Sequence, residues 1–143
     1  MKNIVVEQEN IAKQLCDVVN EYDNLPCRCE YQNLTDKPCS LSLTSLSGAP
    51  KIEKEVTGAY TGEFPFALYL RVVPETTAAR FDCEQLLNEL AAYLEKHFSR
   101  IRLDGGREIE EIEQTQTATI INRADNKTVD YQVILMLRYY AKN

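Results

Sequence analysis

Apolar side chains recur at helical spacing from the start of the chain. Ile4, Ile11, Leu15, Val18 and Tyr22, with Gln8 in the same row, form a stripe widened by Ala12 and Val19, while Glu9, Lys13, Asp17 and Asn20 mark the opposite side. This spacing predicts an amphipathic helix over residues 4–22, with Pro26 barring its continuation. Residues 23–39 read as a polar, cysteine-bearing connector containing Pro26 and Pro38. The period then changes from helical to two. Leu41 and Leu43 alternate with Ser40, Ser42 and Thr44, the pattern of a half-buried strand. Gly48 and Pro50 punctuate the chain before Lys51–Thr57, which reads as an edge strand or loop arm. The run from Phe64 to Val73 is strongly apolar and predicts a strand, with Pro65 expected near its start or on a sheet edge and Pro74 ending it.

A second helix is predicted from Ala78 onward, capped by Thr76 or Thr77. Phe81, Cys83, Leu86, Leu87, Leu90, Ala91, Leu94 and Phe98 make its broad apolar face. Gly105-Gly106 breaks the chain, and a hairpin closes it. Its first strand spans about residues 113–122, its turn is Arg123–Lys127, and its second strand runs from Val129 to Tyr140. In that last strand Tyr131, Val133, Leu135, Leu137 and Tyr139 share one face, with Ile134, Met136 and Tyr140 on the other. A strand apolar on both faces is covered on both. The expected fold is α+β: two helices packed on one face of an antiparallel or mixed sheet of four to six strands, in the order α-β-β(-β)-α-β-β, within a single domain.

Composition narrows the function. The 143 residues are 44% hydrophobic and 27% charged, the range of an ordinary globular domain. No apolar run approaches the roughly 20 residues that span a membrane, and acidic residues interrupt the N-terminal segment before a secretory signal could form, so folding in a reducing cytoplasm is expected. The net charge of −6 and the scatter of basic residues disfavour a nucleic-acid-wrapping surface. The densest charge run is acidic, with Asp104, Glu108, Glu110, Glu111 and Glu113 around Arg107. On a regular strand Glu108 and Glu110 would face one way and Glu111 and Glu113 the other, as a solvated face rather than a metal site.

The cysteines are Cys16, Cys27, Cys29, Cys39 and Cys83, an odd number that argues against a disulfide framework in a chain without an export signal. Cys27, Cys29 and Cys39 lack the two spaced pairs of structural zinc sites, and the single histidine, His97, lies far away, so no metal or cofactor is expected. Cys16 and Cys83 fall on helix faces as core residues. One histidine and no nucleophile-elbow, zincin, P-loop or dinucleotide signature leave no catalytic constellation, and the reading is of a protein that assembles with others. Arg138, Tyr139 and Tyr140 combine residue types enriched where subunits meet, and the arm bearing Lys51, Glu53 and Glu55 is a second candidate contact.

The layout as a whole resembles the minor capsid or tail-terminator proteins of long-tailed bacteriophages and their prophages. Gly58-Ala59-Tyr60 and the closing strand Tyr131–Tyr140 carry most of the likeness. The Pro65–Val72 strand and the Leu86-Leu87-Asn88-Glu89-Leu90 helix segment add to it, and it extends over residues 4–141. The resemblance implies a tail-terminator-like domain that forms a ring, typically a hexamer, at the head-proximal end of the tail. Such a ring stops tail-tube growth and docks on the head connector, with DNA passing through its lumen. It would be made in the bacterial cytoplasm and carried in the virion, with tail-tube and connector proteins as partners and no membrane. It also implies a pore lining for Glu108, Glu110, Glu111 and Glu113, since an acidic wall repels phosphates. Head-completion or tail-tube proteins, or a small host binding module using its sheet face, are the alternatives. The connector 23–39 has no counterpart in the resemblance.

Overall fold

The computed structural model describes residues 4–35, 39–46, 53–103, 107–124 and 127–142, and of residues 4–8, 53 and 77 the backbone only. The predicted first helix is present as α1 (Ile4–Asn20). Ile11, Ala12, Leu15, Val18 and Val19 are buried along its inner side. The polar connector holds an unforeseen strand, β1 (Cys29–Tyr31), followed by β2 (Ser40–Ser45), β3 (Glu53–Lys54) and the long β4 (Tyr60–Val72). Helix α2 (Thr77–His97) comes next, its N-terminus capped by Thr76, whose Oγ1 accepts from the Ala79 N–H at 3.0 Å. A short 3-10 turn (Phe98–Arg100) leads to the closing hairpin, β5 (Arg107–Arg123) and β6 (Val129–Ala141). Four strands therefore lie between the helices, against the two or three expected.

The sheet is mixed, in the order β1-β2-β4-β6-β5, with β3 added to β4 beyond the end of β2. β1 and β2 run parallel and the remaining pairs are antiparallel. Both helices pack on one face, as expected. Leu41 and Leu43 from β2, Phe64, Phe66, Leu68 and Leu70 from β4, and Val133, Leu135 and Leu137 from β6 join Leu87, Leu90, Ala91 and Leu94 of α2 in one core. Phe81 does not belong to it and is 66% exposed. At 100° per residue it sits about 130° from the centre of the Leu87-Leu90-Ala91-Leu94 stripe. Leu86 and Cys83 flank that stripe, packed against the core but partly exposed.

Pro65 lies in the middle of β4 rather than near its start, and the ladder explains how. Its carbonyl accepts from the Leu46 N–H at 2.9 Å, so its nitrogen points to the same side, where β2 has already ended at Ser45. No ladder bond to β6 is lost. Residues 32–35, after β1, lie over the outer face of the sheet. The Asn33 and Thr35 N–H groups donate to the hydroxyls of Ser42 (3.1 Å) and Ser40 (3.0 Å). At the far end of β1, Asn20 clasps the backbone of Cys29 by accepting from its N–H at 2.8 Å and donating to its carbonyl at 3.0 Å.

Candidate assembly surface

The face of the sheet away from the helices is built by alternation. Register places Thr61, Glu63, Pro65, Ala67, Tyr69 and Arg71 of β4 beside Tyr140, Arg138, Met136, Ile134, Gln132 and Asp130 of β6. Most of these side chains are half-buried, and no helix of the described residues covers them. Pro65, Ile134 and Met136 form a short apolar strip at the middle, with Ala67 fully buried beneath it and an ion cluster at each end.

At one end Arg71 meets Asp130 through two hydrogen bonds, Nε to Oδ1 at 2.8 Å and Nη2 to Oδ2 at 3.0 Å. A third, from Nη1 to the Thr35 carbonyl at 3.0 Å, ties the β1–β2 link to this pair. The Asp130 side chain is 7% exposed, so the pair is largely desolvated. At the other end Arg138 is a hub. Its Nε reaches Glu63 at 3.2 Å, and its Nη1 reaches Glu113 at 3.2 Å and also Glu111. The hydrogen bond it donates to Glu111, then that to Glu113, pushes the guanidinium pKa above its ordinary value. Three carboxylates around one cation leave this end of the surface acidic.

The acidic run itself departs from simple alternation. Ile109 pairs with Tyr139, Glu111 with Arg138, Ile112 with Leu137 and Glu113 with Met136, with a register shift between Ile109 and Glu111. Glu110 is the extra residue of a β-bulge. Beyond the bulge the facing inverts, so Glu108, Glu111 and Glu113 share the outer face, which corrects the two-and-two division expected of a regular strand. All four glutamates are exposed. Glu111 and Glu113 are engaged by Arg138, and Glu108 lies 3.9 Å from Lys142.

The three aromatic and cationic residues singled out at the C-terminus separate. Tyr140 lies on the outer face, and its hydroxyl donates to Glu55 at 2.8 Å, which raises the phenol pKa. This bond ties the arm after β3 to the closing strand and brings together two of the expected contact residues. Tyr139 points the other way and is fully buried, edge-on to Tyr60 with centroids 6.4 Å apart. Its ring is used by the fold, so the expectation that it contacts a partner is corrected. Lys51 lies outside the described residues, and Glu53 is described by its backbone, which pairs with Thr61. Glu63, Arg71 and Asp130 were not singled out from the sequence. Single charges in alternating strands carry no signal of the partner across the ladder.

Elsewhere, a cleft of about 550 Å³ at the start of α2 gathers Glu75, Arg80, Arg123, Lys127 and Thr128. Among the described residues no group of three or more His, Cys, Asp or Glu side chains is placed to hold a metal ion. No described helix is long and apolar enough to cross a membrane.

No protein family and no curated protein matches the sequence. Among solved structures, the fold is similar to a chain of a particle described as the virion of a native gene transfer agent. The TM-score is 0.56 at 10% identity, over 99% of this chain and 100% of that one.

Proposed function

We propose that this chain is a structural subunit of a phage-like particle, acting as a tail terminator or head–tail joining ring subunit. The observation that carries the reading is the likeness of fold from end to end to a chain of a gene transfer agent virion, covering 99% of one chain and 100% of the other. The resemblance of layout to tail terminators points the same way. The outer sheet face, which no described helix covers, supports it too: half-buried Pro65, Ile134 and Met136, edged by Arg138 and Tyr140, combine an apolar centre with a polar rim, as subunit contacts do.

In this reading identical subunits join head to tail, a heterologous contact that closes into a ring, with six copies the expected number. The ring caps the tail tube, docks on the head connector and lets DNA pass through a lumen walled by Glu108, Glu110, Glu111 and Glu113. Its work is assembly rather than catalysis. The test is native mass spectrometry of the purified chain alone and mixed with tail tubes, together with two variants, Tyr140→Asp and deletion of 51–57. Both variants are expected to keep the circular dichroism of the parent while failing to join tails. Variants that still complete infectious particles, or a parent chain that never associates with tail components, would overturn the reading.

A further inference from the structure

We infer that Cys27 and Cys39 are a disulfide-forming pair that staples the edge of the sheet once the protein meets an oxidising medium. Their sulfurs lie 3.0 Å apart. That is a thiol–thiol contact, since the bonded distance is about 2.05 Å. The position in the fold accounts for it. β1 and β2 run parallel with Cys29 opposite Leu41. Stepping back two residues along each chain arrives at Cys27 and Cys39, still side by side and on the same face.

Cys83 on α2 is half-buried like Cys27, and the other two are differently placed. Cys16 and Cys29 are hydrogen-bonded to each other but buried, at 8% and 2% exposure, away from a dissolved oxidant. Cys39 is exposed and Cys27 half-buried, so this pair stands where a small disulfide can reach it.

The oxidant is a low-molecular-weight disulfide such as oxidised glutathione. The Cys27 thiolate attacks one glutathione sulfur, the glutathione S–S bond breaks, and one glutathione thiol leaves as a mixed disulfide forms. Cys39 gives up its proton and attacks the Cys27 sulfur, which breaks the mixed disulfide and releases the second glutathione. Two electrons pass from the cysteines to the oxidant, and the protons end on two glutathione thiols. A reduced glutathione pool drives the reverse reaction. The pair is therefore open during assembly in a cytoplasm and closed after release. That timing rests on the proposed role in a particle, whereas the chemistry does not.

The experiment equilibrates the full purified chain in glutathione buffers from reduced to oxidised, alkylates remaining thiols under denaturing conditions and reads the intact mass. The oxidised parent should lose two hydrogens and keep three alkylatable thiols. Cys27→Ser and Cys39→Ser should each form no internal disulfide and instead carry one glutathione, while Cys16→Ser still closes the staple. Closing a loop of this size should raise the melting temperature of the oxidised parent by about 10 °C over the reduced form, with no such rise in Cys27→Ser. An internal disulfide in either Cys27→Ser or Cys39→Ser, a parent that stops at mixed disulfides, or an unchanged melting temperature would overturn the proposal. None of these readouts depends on particles, so a chain that closes the staple but never joins a tail counts against the assembly role alone.

Discussion

Gly62 and Tyr139 face each other across β4 and β6 so closely that a Cβ built on the glycine would come 2.3 Å from Cζ of the tyrosine ring. The ring fills the space a side chain would occupy, a cross-strand covering of glycine by an aromatic. Gly62→Ala should cost about 1–3 kcal/mol through overpacking. Chemical denaturation checks it. In Gly62→Ala/Tyr139→Leu the loss should be smaller than the sum of the two single losses, because the shorter side chain removes the clash. Additive losses would rule out the contact as the cause.

Arg71 and Asp130 form a bidentate pair with Asp130 almost out of water. Arg71→Ala leaves that carboxylate without its cation and releases the Thr35 carbonyl. A loss of about 3–5 kcal/mol is expected, larger than for Arg71→Ala/Asp130→Ala, since removing both charges leaves neither stranded. Urea unfolding of the two variants decides it.

Tyr131 is fully buried, and its hydroxyl finds no hydrogen-bond partner among the described residues. Tyr131→Phe should therefore be neutral or raise stability by about 1 kcal/mol at neutral pH. The phenol also has a pH signature. Burial raises its pKa above the ordinary tyrosine value. Below about pH 10 both folded and unfolded chains hold the proton. As pH rises from there toward the folded pKa, the unfolded chain ionises first and stability falls. Tyr131→Phe should lose less stability on this alkaline limb than the parent, measured by denaturation at successive pH values.

The net charge of −6 should keep the chain off duplex DNA at physiological salt. Arg80, Arg123 and Lys127 do gather around one cleft, but with Glu75 among them. Non-specific binders hold DNA at roughly 10⁻⁴–10⁻⁶ M through many phosphate contacts. A mobility assay should show no shift in the micromolar range. A salt-sensitive shift there would count against an acidic lumen.

The elements with long, regular patterns were legible in the sequence because one period ran through each. α1, α2 and the closing strand lie close to where alternation or helical spacing put them. β1 escaped because it has three residues inside a polar segment, and its pairing with β2 depends on contacts that local pattern does not encode. The bulge at Glu110 was written in the chain, however. Ile109 and Ile112 are three apart, yet both must face the core, so one residue between them has to be extra. Arg138 and Tyr139, named together from the sequence as contact residues, take opposite faces, since two neighbours on one strand cannot share a face. The partner of Arg138 on β4, Glu63, became visible only through the register of Phe64 against Leu137.

β5 is the longest strand of the sheet and lies at its edge, paired among the described residues along one side alone. Such an edge invites uncontrolled stacking of identical chains. Its ladder is interrupted by four register shifts between Ile109 and Asn122, so a second chain could find evenly spaced hydrogen-bonding groups over short runs only, and the glutamates near its start repel their own copies. The irregularity of this one strand is thus a brake on fibril growth.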